Sequence, residues 1–165
     1  YSFEKKIMDG IYSCGTISRS SILKDNISDI YITGLIDKKI IRKQAFKIGE
    51  KKIAIYTFTK FGERYYTEQT NKTLFFRCSS MEKMLALSYT YSNLSDEAKE
   101  TWKSKDEWMC EEGETTVPDA TFIQNKTKYG LSIMLKSEKK DFKKKKALVD
   151  FKLKHNIDKY YIKYY

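Results

Sequence analysis

The stretch NISDIYITGLIDKKIIRKQAFKIGEKKIAIYTFTKF, Asn26 to Phe61, changes its period part-way along. In its first part Ile27, Ile30, Tyr31, Gly34 and Leu35 follow the spacing of one buried helix face. Ile32, Leu35 and Ile36 form a second stripe that fits nearly as well. The rest alternates β-branched or aromatic residues with basic ones, from Ile40 to Ile48 and from Ile53 to Phe58, around Gly49-Glu50-Lys51-Lys52. Such a pattern predicts a helix followed by a hairpin. Asn26 is placed to cap the helix, with Asp29 three residues on.

Upstream, Phe3, Ile7, Met8 and Ile11 predict a first helix over 3–12, broken by Cys14-Gly15-Thr16. Thr16 is placed to cap a second, from Ile17 to Leu23. Downstream, Thr59 caps a fourth helix over 60–68. Three short helices and a basic hairpin are the expected order of a winged helix-turn-helix, which presents one helix to a DNA major groove. On that reading Ser28, Thr33 and Asp29 face base edges, Arg19 and Lys24 touch phosphate, and Arg42, Lys43, Lys47, Lys51 and Lys52 clamp the backbone from the wing. Asp29 is an awkward member, suited to a cytosine amino group. The bland alternative is a solvated hairpin face. Tyr56-Thr57-Phe58-Thr59-Lys60-Phe61-Gly62 resembles the segment that closes the wing in this fold, with Phe58 in the usual Leu place. Lys39 stands where Gly is usual, so the recognition helix is expected to end differently.

The net charge of +10 favours nucleic acid or another anionic partner over a neutral one. It is unevenly placed: +5 over residues 1–70, −4 over 71–120 and +9 over 121–165. The acidic middle leaves room for a third class of function, a protein-interaction module. Cys14, Cys78 and Cys110 are scattered and His155 is the single histidine, which does not make a zinc site. An odd number of separated cysteines fits reduced thiols, so the expected compartment is the cytoplasm. No apolar run approaches the length of a membrane span, no signal peptide is visible, and no cofactor is implied.

The polar segment 70–73 is the expected boundary between a winged helix-turn-helix domain, 1–70, and a small α/β domain, 74–165, making the fold class α+β. In the second part the pattern predicts a helix over 79–94, a short helix or loop over 96–105 and a strand over 107–112. Pro118-Asp119 leads into a strand ending near Ile123, a hairpin at 125–128 leads into Tyr129–Leu135, and a long helix over 138–155 precedes a last strand over 160–165. Phe142, Val149 and Leu153 are the expected buried stripe of the long helix, widened by Ala147, Leu148 and Phe151. Lys145 or Lys146 then lies at the core edge, and Lys143 and Lys144 belong to a charged ridge, a second DNA contact or a solvated face. His155 is expected to cap this helix. Tyr160, Tyr161, Tyr164 and Tyr165 are expected on alternate faces of the strand, with base stacking or nucleophilic chemistry as sharper alternatives.

This order is similar to the core of the PD-(D/E)xK nucleases, in which strand-borne acids and a Lys hold a metal that activates water. Asp119 matches the first acid and Lys136 is the Lys candidate, but Met134 occupies the place of the second acid. Glu111, Glu112 and Glu114 are the substitutes within reach in sequence. The two halves together resemble the replication-relaxation family, which joins a winged helix to a nuclease-like domain and occurs on plasmids and conjugative elements. The resemblance rests on Tyr56–Gly62, on Trp102 or Trp108 before an acidic stretch, and on Pro118-Asp119-Ala120. Arg77-Cys78 stand where a His often precedes the next helix. It implies a double-stranded DNA partner, a role in replication, transfer or transcriptional control of a mobile element, and either a homodimer or a partner protein of a replication or transfer complex.

Overall fold

The computed structural model describes residues 2–113 and 116–165. These form eight α-helices, one 3-10 helix and two sheets, a mixed α+β architecture. The chain divides into two compact units, Tyr1–Asn93 and Leu94–Tyr165. No helix among the described residues is long and apolar enough to cross a membrane.

In the first unit, α1 (Phe3–Cys14) is capped by Ser2 and ends at Gly15, whose φ of 84° is the left-handed value a helix terminator needs. A two-residue strand, β1 (Ile17–Ser18), precedes α2 (Arg19–Lys24). Ser18, and not Thr16, caps α2, because the Thr16 hydroxyl is buried and donates to the Tyr56 carbonyl at 2.9 Å. Likewise Ser28, and not Asn26, caps α3 (Asp29–Asp37). Asn26 adopts φ 55° and its N–H bonds back to Leu23, so it ends α2. Of the two candidate stripes on α3, the second is the buried one. Ile32 and Leu35 lie in the core, whereas Ile30 is 70% exposed.

Lys39 does not change how α3 ends. It takes φ 59°, and the N–H groups of Lys39 and Ile40 reach Ile36 and Leu35, the paired bonds of a Schellman motif. A lysine thus adopts the conformation usually given to glycine. The hairpin is β2 (Ile41–Ile48) and β3 (Lys51–Phe58), joined by Gly49-Glu50 alone. Lys51 and Lys52 are therefore strand residues and not turn residues. The sheet order is β1-β3-β2.

Thr59 caps α4 (Lys60–Thr70) through the Gly62 N–H at 2.9 Å. A Cβ on Gly62 would sit 1.8 Å from the Ile40 carbonyl oxygen, so only glycine lets α4 pass this close to the chain entering β2.

The expected boundary at 70–73 is not where the chain divides. The segment after α4 returns to the core: Phe75 and Phe76 are buried, and the Phe76 N–H donates to Tyr12. Phe75 packs with Tyr12, Phe58 and Tyr66 at ring distances of 5.1, 5.7 and 5.9 Å. The next helix, α5 (Met81–Ser92), packs on α1 and belongs to this unit.

The second unit contains α6 (Asp96–Glu100), β4 (Lys103–Ser104), α7 (Lys105–Glu112), β5 (Ala120–Gln124), β6 (Thr127–Met134), α8 (Phe142–Lys154) and β7 (Lys159–Tyr164). Its sheet runs β4-β5-β6-β7, with β7 parallel to β6 and the other pairs antiparallel. The strand expected over 107–112 is helix α7. Ser104 and Glu107 form a capping box that starts it, and the short alternation of Trp108, Met109 and Cys110 mimicked a strand.

The helix expected from residue 138 begins at Phe142, after a 3-10 turn over Lys136–Lys140, with Asp141 as its cap. Its buried face is also different. Phe151 is buried with Trp108 and Leu148 is buried too, while Phe142, Val149 and Leu153 are 77%, 55% and 72% exposed. Within the run 143–146, Lys144 and Lys145 are half-buried, and Lys143 and Lys146 are exposed.

Candidate nucleic-acid interface

The pleat sorts the basic residues of the hairpin. Cross-strand partners share a face, and successive residues alternate. Ile41 with Phe58, Lys43 with Tyr56, Ala45 with Ala54 and Lys47 with Lys52 make one face. Its root is core: Ile41, Tyr56 and Phe58 pack with Ile32 and Leu35 of α3. Farther out the same face carries Lys43, Lys47 and Lys52, all exposed. None of these three has a carboxylate partner among the described residues. Lys47 and Lys52 oppose each other directly, an arrangement that costs stability unless an anion lies between them.

Arg42 and Lys51 lie on the opposite face. The Arg42 Nε–H donates to the Thr57 hydroxyl at 3.2 Å, and the residue borders a cavity of about 280 Å³ together with Lys60 and Arg77. The five wing residues are thus two sets, not one clamp.

On the helices the candidates also separate. Arg19 pairs with Asp29 at 2.5 Å, which neutralises the acid that sat awkwardly in a base-reading helix. Burial pushes the Tyr56 phenol up; the Arg19 guanidinium opposes this and the Asp29 carboxylate adds to it. Ser28 accepts the Ile30 N–H at 3.4 Å as the cap of α3, and Thr33 is exposed. Lys24 turns away: its ammonium lies 3.9 Å over the Tyr89 ring and 3.3 Å from the Asn93 side-chain oxygen. The pairing of Lys47 with Lys52 was missed in the sequence because it depends on the exact loop length. The Gly49-Glu50 dipeptide was the signal that could have fixed it.

The nuclease candidates do not converge. Asp119 is buried, and its Oδ2 accepts the Ile133 N–H at 2.7 Å, a bond that ties the entry of β5 to β6. Lys136 is exposed at the start of the 3-10 turn, where its backbone N–H bonds to Tyr165. Glu111 pairs with Lys103, and Glu112 holds Lys154 at 2.7 Å and His155 at 3.1 Å. The Lys154 hydrogen bond, joined by the nearby His155, holds the Glu112 carboxyl below its ordinary range. Glu114 lies outside the described residues. Among the described residues no three His, Cys, Asp or Glu side chains are grouped to hold a metal ion.

His155 does end α8, its N–H bonding to Phe151, while its ring packs 4.3 Å from Phe151 and 4.8 Å from Trp108. On α8 Lys143 is exposed, and Lys144 pairs with Glu138 at 2.9 Å.

No family model, no curated protein and no solved structure matches this chain.

Proposed function

We propose that the first unit is a winged helix-turn-helix that binds double-stranded DNA without covalent chemistry. The observation that carries this reading is the face shared by Lys43, Lys47 and Lys52, on the side of the hairpin packed against α3. The element order helix, short strand, helix, helix, hairpin supports it. In this account α3 enters the major groove with Thr33 outward, Arg19 approaches phosphate, and the three lysines hold the flanking backbone. The repulsion between Lys47 and Lys52 is relieved when a phosphate lies between them. Membership of the replication-relaxation family, and a role in replication, transfer or transcriptional control of a mobile element, extend the same proposal. They rest on the Tyr56–Gly62 and Pro118-Asp119-Ala120 segments.

The test is a gel-shift titration with a duplex of random sequence. Lys47→Glu/Lys52→Glu should weaken binding by at least about tenfold, as the removal of two phosphate-binding cations implies. Lys51→Glu, on the other face, should weaken it less. Equal loss from both variants would contradict the assignment of the face.

A further inference from the structure

The second unit carries an aromatic ladder that the duplex reading does not use. Trp102, Phe122 of β5, Tyr129 of β6 and Tyr161 of β7 lie ring against ring across one face of the sheet. Successive centroids are 5.8, 5.2 and 6.1 Å apart and interplanar angles are 9°, 14° and 14°. The first two rings are buried. The last stands on the edge strand, half exposed, and Tyr129 is its only ring partner among the described residues. The stack therefore stops at a ring with one face open.

Alternation along β7 puts Lys159 and Lys163 on the same face as Tyr161, one to each side. Both are exposed, and neither has a carboxylate partner among the described residues. The other tyrosines point elsewhere. Tyr160 shares a hydrogen bond of 2.5 Å with Ser132, and Tyr164 lies beneath the ammonium groups of Lys139 and Lys145.

We propose that this edge binds single-stranded nucleic acid, a base continuing the ladder on the open face of Tyr161 while Lys159 and Lys163 hold phosphates on either side. Base-on-aromatic stacking beside a basic track is the general means of holding a single strand without reading its sequence. A paired duplex keeps its base faces covered and cannot extend the ladder. A second copy of the chain would set lysine against lysine. The site is independent of the hairpin, so it stands or falls separately from duplex binding.

The experiment is fluorescence anisotropy of the intact chain with labelled oligo(dT) and with an abasic oligomer of equal length, which keeps the phosphates and lacks the bases. The unsubstituted protein should prefer oligo(dT) by about tenfold, the size expected for one stacked base. Tyr161→Ala should erase that preference and Tyr161→Phe should keep it. Lys159→Glu/Lys163→Glu should weaken both oligomers alike. Equal affinity of the unsubstituted protein for the two oligomers would overturn the proposal, as would a preference that survives Tyr161→Ala. Gel shifts of the Tyr161 variants with duplex should be unchanged, which separates this site from the hairpin.

Discussion

At the scale of single residues, two positions in the first unit are fixed by what lies next to them. Gly62 has no alternative, because any Cβ would collide with the Ile40 backbone. Gly62→Ala should cost about 3 kcal/mol or more, since the clash is with main chain that cannot rotate away; a urea titration measures it. Tyr66 is completely buried, and its hydroxyl donates to Asp9 Oδ1 at 2.7 Å, while Lys5 holds the other carboxylate oxygen at 2.8 Å. Burial, the hydrogen bond and the Asp9 charge all push the Tyr66 phenol far above its ordinary range. The folded ring stays neutral, whereas an unfolded tyrosine ionises near pH ~10. The stability from this difference is thus complete below about pH 10 and is lost as the pH rises beyond it. The urea midpoint should fall more steeply above about pH 10 in the unsubstituted chain than in Tyr66→Phe. At neutral pH Tyr66→Phe should cost about 1.5–3 kcal/mol, the range for a hydrogen bond to a charged group. Parallel alkaline slopes in the two proteins would show that Tyr66 is not the responsible group.

At the scale of elements, α8 tests how far periodicity can be read. It offers two apolar stripes, and the structure buries Leu148 and Phe151 while leaving Phe142 and Leu153 in water. Leu148→Ala should cost about 2–5 kcal/mol and Phe142→Ser less than about 0.5, as judged by thermal unfolding. The reverse order would restore the stripe first expected from the sequence. The ambiguity has a physical origin: a helix with apolar residues on two sides is oriented by its neighbours, here Trp108, and not by its own pattern. The same holds for α3, where Ile30 looked as suitable for burial as Ile32 did. Strong local signals were legible. The hairpin, the Thr59 cap and the helix ending at Gly15 all rest on turn or cap chemistry contained within a few residues. Signals that depend on distant partners were not. Thr16 and Asn26 have the chemistry of caps, but Thr16 is taken by the Tyr56 carbonyl across the sheet. The boundary was misplaced because the polar run at 70–73 looks like a linker, while Phe75 and Phe76 just beyond it complete the core. In the candidate site, the basic residues could be named from sequence. Their division into two faces could not, because it needs the register of the hairpin.

At the scale of the whole molecule, the boundary after Asn93 redraws the charge map. The first unit holds 16 basic and 9 acidic residues, +7, and the second 16 and 13, +3. The acidic stretch within 94–120 is thus part of the same unit as the basic carboxy-terminal segment, and much of it is engaged internally. Glu111 and Glu112 hold Lys103, Lys154 and His155. This weakens the case for that stretch as a docking face for a protein partner. In the first unit Lys43, Lys47 and Lys52 are exposed on one face of the hairpin, with no carboxylate partner among the described residues. The decisive measurement is the salt dependence of duplex affinity for the unsubstituted chain and for Lys47→Glu/Lys52→Glu. Duplex binding through the hairpin predicts a steep fall in affinity with salt. The slope of log K against log salt should flatten by about 2 in the double variant, close to one for each phosphate no longer neutralised. A slope unchanged by the substitutions, or no binding at about 50 mM salt, would contradict it.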